Sequence, residues 1–373
     1  MAMTLRENSL AILRYENYEK LPIVNFGYWG ETLQKWVQEG HLTQDEIQNA
    51  GDGSENDRRI GRKLGFDFNW YSCFGGSCGI HPPFEQKVLE VREDGSKIMV
   101  DSNGVIVKVK DDIVSIPSEI DHMLKDRESW ERDFKHRLQY SESRINLDAL
   151  AKIPRPEERE TPLGIHCGSL FGEIRNILGV EGTSYVYCDD EELYDEIIDT
   201  VGELCYKVVK RILESGVQFD FGHFWEDICF KNGPLVIPSV FAEKVGPHYK
   251  KITELLREHA IDIVSLDCDG QIDALIPIWL ENGVNTMFPI EVGTWGASIA
   301  PWREKYGNAI RGVGGMNKTV FAQDYAAVDR EVERLKPLVA LGGYIPCMDH
   351  RIPPDAKWEN VQYYCEQMRK AFQ

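Results

Sequence analysis

Residues 261–269 read Ile-Asp-Ile-Val-Ser-Leu-Asp-Cys-Asp, a short apolar run that ends in polar and reactive residues. Similar runs recur through the second part of the chain, where they alternate with amphipathic helical segments. The candidate strands are 162–166, 217–221, 261–266, 284–290, 309–312 and 338–344. Regular alternation of strands and helices predicts parallel βα units around one core.

The helical segments between these strands carry apolar residues at helical spacing. The clearest set is Leu193, Ile197, Val201, Leu204, Val208 and Ile212. Such an apolar face covers a parallel sheet. An open doubly wound sheet and a closed barrel both satisfy this pattern, but no Gly-x-Gly-x-x-Gly follows an early strand to mark a dinucleotide site. We therefore predict an α/β fold of the closed (β/α)₈ type.

The whole chain, 1–373, is predicted to form a single barrel domain. Its segments are an N-terminal helical extension with the first strand (1–85), a β-hairpin insertion (86–117), a connecting helix and linker (118–160), and the main βα units (161–373). The insertion is predicted from period-two alternation around the turn signals Asp94-Gly95 and Asn103-Gly104. It is therefore expected to be small, antiparallel and peripheral.

Composition excludes several classes of function. The 42 Lys and Arg against 61 Asp and Glu give a formal charge of −19 over 373 residues, which opposes nucleic-acid binding. No apolar run approaches the roughly 18 residues of a membrane span, and the first residues lack an apolar signal core. Nine scattered cysteines in a long chain suggest free thiols. A cytoplasmic protein without a membrane segment is expected.

Polar residues follow the candidate strands at their carboxyl ends. In a closed barrel these ends converge on the face where active sites occur. Each residue alone has a structural explanation, because a strand-end Asp can cap a helix and a single His is often hydrogen-bonded in a core. As a set they indicate an active site. The candidates for an acid or a polarising group are Asp267, Asp269, Glu291, His223 and His350.

Aromatic residues near these positions are candidates for the wall of a substrate pocket. We assign Tyr28, Trp29, Trp225, Trp295 and His166 to substrate binding, with core packing as an equally weighted alternative for the aromatic residues. The glycine-rich run 311–316 lacks the Lys and Ser/Thr of a phosphate-binding loop, so tight turning is the expected reason for its glycines.

Four regions of the sequence resemble the uroporphyrinogen decarboxylase superfamily. They are 26–36, 225–228, 267–270 with 289–292, and 349–355. The resemblance implies a (β/α)₈ barrel with an N-terminal helical extension. The last segment, Asp-His-Arg-Ile-Pro-Pro-Asp, is similar to branches of the superfamily that are corrinoid-linked methyltransferases.

We expect the chain to remove a methyl group from a small methoxylated, aromatic substrate and to transfer it to the corrinoid of a partner protein. The resemblance implies the corrinoid, and the acidic strand ends favour the ether. This chain has no Asp-x-His-x-x-Gly corrinoid-binding motif, so the cofactor is expected on that partner. Porphyrin decarboxylation is disfavoured because residues 25–29, Asn-Phe-Gly-Tyr-Trp, replace the arginine-rich motif of the true decarboxylases. A decarboxylase-like enzyme for a small acid and a noncatalytic protein that docks the corrinoid partner are the alternatives. A homodimer is left open.

Zinc is a second alternative that the resemblance raises. The methyltransferase branch has a zinc site built from His-x-Cys and a later Cys. Here Asp267 and Asp269 occupy the first two places and Cys347 matches the third, so Cys347, Cys268 and Glu291 are the candidate Zn²⁺ ligands. A zinc site would favour methyl transfer from a methylcorrinoid to a thiol. The acidic residues without a metal would favour a methyl ether, whose departing oxygen needs a proton.

Overall fold

Eight parallel strands form a closed barrel in the computed structural model, which describes residues 2–110 and 117–373. In chain order the strands are Val24–Asn25, Phe68–Asn69 continued at Cys73–Phe74, Gly164–His166, Phe221–Trp225, Val264–Asp267, Thr286–Phe288, Arg311–Met316 and Tyr344–Met348. Each pairs in parallel with the next along the chain. A parallel bridge between Tyr28 and Ile352 joins the last strand to the first and closes the ring. The prediction of a (β/α)₈ barrel is confirmed.

The helices surround the barrel and bury their apolar faces on it. They are Leu5–Leu13, Gly30–Gln38, Gln44–Ile47, Glu55–Leu64, Arg127–Ser129, Leu147–Leu150, Gly172–Asp189, Glu191–Leu213, Pro238–Val240, Gly246–Glu258, Ile276–Glu281, Val292–Trp295, Ile299–Tyr306, Tyr325–Val339 and Trp358–Phe372. In Glu191–Leu213, Asp190 caps the first turn and all six apolar residues of the predicted stripe are buried. Burying one such side chain stabilises the fold by about 1.5–3 kcal/mol.

Shorter helical turns connect these elements. Trp130–Phe134 and Phe241–Val245 are π-helical, and Lys135–Leu138, Glu142–Arg144, Pro156–Glu158, Gly307–Ala309 and Lys318–Ala322 are 3₁₀ turns. A two-stranded hairpin, Cys229–Phe230 with Gly233–Pro234, follows the fourth barrel strand. In the described part of the chain, no helix is both long and apolar enough to cross a bilayer. All nine cysteines are free thiols, as expected.

The insertion is an antiparallel sheet of four strands. They are Lys87–Val91, Lys97–Val100, Val105–Val109 and Ser118–His122. The turns at Gly95 and Gly104 are confirmed, with φ of 78° and 79°. The last strand lies beyond the predicted boundary at 117, in the segment predicted as connecting helix and linker. This strand lies at the edge of the sheet, so its residues are polar and exposed. Their composition is therefore similar to that of a linker. The predicted end of the insertion includes 111–116, which lie outside the described residues.

All six predicted barrel strands begin later than predicted, and the fourth, seventh and eighth also end four residues beyond the predicted end. The fourth strand starts at Phe221 rather than 217, and the seventh runs over Arg311–Met316 rather than 309–312. The apolar residues at 338–341 belong to the end of the helix Tyr325–Val339 and the turn after it, so the last strand is Tyr344–Met348. An apolar run alone does not distinguish the last turn of a core-facing helix from a buried strand.

The glycines of the seventh strand serve close packing rather than turning. Gly314 has φ +135°, and a Cβ atom there would lie 1.6 Å from the carbonyl oxygen of Pro289. The backbone N–H of Gly315 donates to that same oxygen at 2.8 Å. Only glycine permits this approach of the sixth strand. The prediction that this run is a tight turn is therefore wrong.

Candidate active site

Three aspartates meet at the C-terminal end of the barrel, which we call the mouth. Asp267 ends the fifth strand and Asp269 follows two residues later, so both side chains lie on the same side of the chain. Asp227 follows the fourth strand in a left-handed backbone conformation, φ +52°. One carboxylate oxygen of each lies within 4.8 Å of the others. The backbone N–H of Asp269 donates to Asp227 Oδ1 at 3.0 Å, which holds the two loops together.

Within the acid cluster, which consists of Asp227, Asp267 and Asp269, the protonated form is favoured at Asp267 and Asp227. Asp267 is 3% exposed, and its carboxyl group makes no hydrogen bond to the described residues. Burial raises the pKa of Asp267 well above its ordinary value, and the negative charges of Asp227 and Asp269 raise it further. Burial and the charge of Asp269 raise the pKa of Asp227 to about 6. The cluster therefore retains protons at a pH where isolated carboxyl groups are ionised.

Glu291 and His350 lie at the edge of the acid cluster. Glu291 accepts hydrogen bonds from the backbone N–H of Gly270 at 2.6 Å and from the Thr294 hydroxyl at 2.7 Å. Burial, followed by the charge of Asp269, raises the pKa of Glu291. His350 Nε2 lies 3.1 Å from Asp269 Oδ2. The structure thus brings four of the predicted catalytic residues, Asp267, Asp269, Glu291 and His350, around one mouth.

His223, the fifth predicted catalytic residue, lies deeper in the barrel. It is fully buried, neither ring nitrogen has a hydrogen-bond partner, and its ring lies 4.7 Å from that of Tyr71. Burial lowers the pKa of His223 well below the usual value and lowers that of His166 to about 4. Both imidazoles are therefore neutral near pH 7. The prediction that His223 acts as an acid is corrected: a neutral ring can hydrogen-bond a ligand but is no cationic proton donor.

A cavity of about 230 Å³ is lined by His166, Tyr71 and Trp225, among others. Its volume is at the small end for ligand sites. Trp225 and His166 are predicted substrate-binding residues, whereas Tyr71 was not predicted. Burial raises the pKa of Tyr71 well above its usual value, and the charge of Asp267 raises it further, which connects this aromatic wall with the acids.

The other predicted substrate residues differ in their surroundings. Trp29 stacks on the ring of His350 with a centroid distance of 5.3 Å, so it belongs to the mouth. Tyr28 is 7% exposed and packs edge-on against Trp36, at 5.7 Å, among the N-terminal helices. Its surroundings are those of the alternative stated above, core packing, because the ring is buried against a side chain of the N-terminal helices. Trp295 lies beside Trp302 at 6.2 Å, and its role in binding stays a prediction.

The predicted zinc ligands Cys347, Cys268 and Glu291 do not form a ligand group. Within residues 2–110 and 117–373, the acid cluster is the one set of three potential ligands close enough for a single ion. Cys268 lies between Asp267 and Asp269 in sequence, so its thiol points to the opposite side, where it accepts from the N–H of Ile228. Burial raises the pKa of both thiols far above the ordinary value. Because the two thiols and Glu291 do not converge on one point, these residues do not fit a zinc site.

Two further groups support the mouth and were not predicted as site residues. Arg351 forms a bidentate ion pair with Asp52, at 3.0 and 2.6 Å. Glu226 is fully buried and accepts from the backbone N–H groups of Leu170, Phe171 and Gly172 at 2.6–2.9 Å. It thereby joins the end of the fourth strand to the loop that follows the third.

Comparisons with known proteins agree with this architecture. A family model described as uroporphyrinogen decarboxylase (URO-D) matches residues 100–371. A methyltransferase from Methanosarcina mazei superposes with a TM-score of 0.59 at 14% identity, over 99% of this chain and 98% of that one. A B12-independent methionine synthase from Shewanella sp. W3-18-1 gives a TM-score of 0.49 at 11% identity, over 94% of this chain and 98% of that one. A comparison with curated proteins gives no match. At 14% identity, the likeness to the archaeal methyltransferase is one of fold.

Proposed function

Because the chain belongs to the uroporphyrinogen decarboxylase family, we propose that it is a methyltransferase that removes the methyl group of a small methoxylated aromatic compound and delivers it to the corrinoid of a partner protein. The observation that carries this proposal is the buried carboxyl group of Asp267 beside two other aspartates at the mouth, because its burial and then their charges raise its pKa well above the usual value. The fold shared with a methyltransferase supports the general class of reaction.

The acid cluster supplies what the cleavage of a methyl ether requires. When the bond between methyl carbon and oxygen breaks, the oxygen leaves with the electron pair and must be stabilised or protonated. A carboxylic acid serves as donor near neutral pH only if its pKa is raised, as that of Asp267 is. Asp267 gives its proton to the departing oxygen, and Asp227 and Asp269 hold that proton in place until the bond breaks.

The aromatic walls favour a small, uncharged ring as substrate. Trp29 covers the mouth beside His350, while Tyr71 and Trp225 line the adjoining cavity of about 230 Å³. Arg351, a cation near the acids, is already paired with Asp52. Arg175, which lies 5.9 Å from the ring of Trp225, is one further cation, too few to replace the hydration of the several carboxylates of a porphyrin. These features favour an aryl methyl ether over the substrate after which the family is named.

The methyl acceptor is expected on a separate protein, since this sequence has no corrinoid-binding motif. The reduced corrinoid supplies the nucleophile, and this chain binds and orients the ether with its methyl group towards the open mouth. Zinc-dependent transfer to a thiol is less well supported, because the thiols of Cys268 and Cys347 are buried and form no ligand group with Glu291 in the described residues.

The test is to mix the purified protein with a reduced corrinoid protein and a panel of methoxyarenes, and to follow the absorption spectrum of the cobalt centre. We expect a methyl-cobalt spectrum with at least one aryl methyl ether and release of the corresponding phenol. Prior treatment with a chelator should leave the rate unchanged. Transfer that occurs only to a thiol, and only with added Zn²⁺, would contradict the proposal.

The pH dependence of the reaction should change when Asp227 is replaced. In the wild type the rate should fall as rising pH deprotonates Asp267. The Asp227→Asn substitution removes a neighbouring negative charge and so lowers the pKa of Asp267. We expect the alkaline limb of the pH–rate profile to move to lower pH by about one unit. The exposed substitution Asp148→Asn is the control, and a limb that stays in place or moves upward in Asp227→Asn would refute the role of the cluster.

A further inference from the structure

A second cavity lies at the opposite end of the barrel from the mouth. It has a volume of about 800 Å³ and is lined by residues that precede the second and third strands, including Phe66 and Leu163. We call it the lower cavity. Its arginines are Arg58, Arg62, Arg159 and Arg369, and its acidic lining residues are Asp67 and Glu160. With four arginines against two acidic residues, the lining of the lower cavity is positive, whereas the chain as a whole has a net charge of −19.

Three of these arginines have hydrogen-bond partners in the protein. Arg58 and Arg62 lie on the exposed helix Glu55–Leu64 and pair with Glu55. Arg369 contacts Asp67 at 3.0 Å and the carbonyl oxygen of Gly65 at 2.6 Å. Their charges and donors are therefore largely satisfied without a ligand.

Arg159 differs from the other three. Its side chain is 6% exposed, yet none of its three guanidinium nitrogens has a hydrogen-bond partner. Its Nη2 lies 3.4 Å from Asp220 Oδ2, which is an ion pair without hydrogen-bond geometry. A guanidinium carries five N–H donors. Leaving buried donors unpaired is unfavourable, so this group is suited to an acceptor that enters the cavity.

The charge around Arg159 is also incomplete. Asp220 Oδ1 is held by Arg6 at 2.7 Å, and Asp220 Oδ2 accepts the backbone N–H of Leu163 at 2.9 Å. The lining residue Glu160 forms no ion pair with either arginine, so one carboxylate faces two guanidinium groups, which leaves one excess positive charge among these three groups. A monoanion would balance it, and the planar fork of arginine matches the two oxygens of a carboxylate.

We propose that the lower cavity binds a small organic carboxylate, with its charged end on the Arg159 guanidinium and its apolar part against Leu5, Phe66 and Leu163. The apolar lining distinguishes this ligand from an inorganic anion, which would leave that surface unused. The site is separate from the acids at the mouth, and the proposal does not depend on the methyl-transfer reaction.

The experiment is isothermal titration of the full chain with octanoate, in parallel with octanamide and inorganic phosphate. We expect one octanoate per chain and at least tenfold weaker binding of both other compounds. Arg159→Gln should weaken octanoate binding at least tenfold, whereas the exposed control Arg155→Gln should leave it unchanged. Asp267→Asn should also leave it unchanged, which separates this site from the mouth.

Thermal unfolding and circular dichroism establish that each variant is folded. If Arg159→Gln does not fold, Arg159→Lys replaces it, because lysine keeps the charge and loses the planar fork, and octanoate binding should again weaken at least tenfold. Absence of octanoate binding, equal binding of octanoate and octanamide or of octanoate and phosphate, or unchanged binding in the folded Arg159 variant would overturn the proposal.

Discussion

The Asp267→Asn enzyme should transfer methyl groups from an aryl methyl ether about 10²–10⁴-fold more slowly than the wild type, because asparagine cannot donate the proton that the leaving oxygen requires. Its stability should be nearly unchanged. Asp267 makes no hydrogen bond to the described residues, and the substitution replaces a protonated, uncharged carboxyl group by an uncharged amide of the same shape. Single-turnover kinetics and thermal unfolding measure the two effects separately.

The matched control for this substitution is Asp148→Asn, which changes the same functional group on the exposed surface. Its rate should equal that of the wild type. If Asp267→Asn retains full activity, the proton comes from elsewhere and the acid cluster is not the donor. A second substrate, whose leaving oxygen is a poor base and needs no proton, tests the role further. If Asp267→Asn loses as much rate with this substrate, Asp267 positions the substrate instead.

Glu226→Gln should cause the largest loss of stability among single substitutions near the mouth, about 3 kcal/mol. The carboxylate of Glu226 accepts hydrogen bonds from three consecutive backbone N–H groups, the Ser169 hydroxyl and the Tyr249 hydroxyl, with no exposure to water. Glutamine would turn an N–H₂ donor towards groups that are themselves donors. Denaturant unfolding measures the difference in the free energy of unfolding.

Glu281→Gln is the control for that measurement, since Glu281 is exposed at the end of its helix. It should change the free energy of unfolding by no more than about 0.5 kcal/mol. A similarly small change in Glu226→Gln would mean that the loop after the third strand is held by other contacts. We also expect a slower reaction in Glu226→Gln, because Asp227, a member of the acid cluster, is the next residue along the chain.

Much of the barrel can be predicted from the sequence because its buried strands combine an apolar run with a polar end. This combination places the third, fifth and sixth strands correctly, and it places Asp267 and Glu291 at the mouth. The combination fails for the second strand, because its two pieces, Phe68–Asn69 and Cys73–Phe74, are each only two residues long and show no apolar run. For that reason Tyr71, which lies between these two pieces, is absent from the predicted site.

The errors in the predicted site have physical causes that a linear sequence hides. Asp227 reaches the other acids through a left-handed residue after the strand end, which a strand pattern does not reveal. The assignment of Cys268 to the same site as Asp267 is wrong because side chains alternate along a strand, so the neighbouring residues 267 and 268 do not face the same cavity. The loss of basicity of His223 depends on its complete burial, which only the packed barrel determines.

The most direct test of the central claim is an infrared difference spectrum at neutral pH between the wild type and Asp267→Asn, in the region of the carbonyl stretch of a protonated carboxyl group. A wild-type band that disappears in this variant and persists in Asp148→Asn is the predicted result. Identical spectra of the wild type and Asp267→Asn would show that Asp267 is ionised, and it could not then be the proton donor.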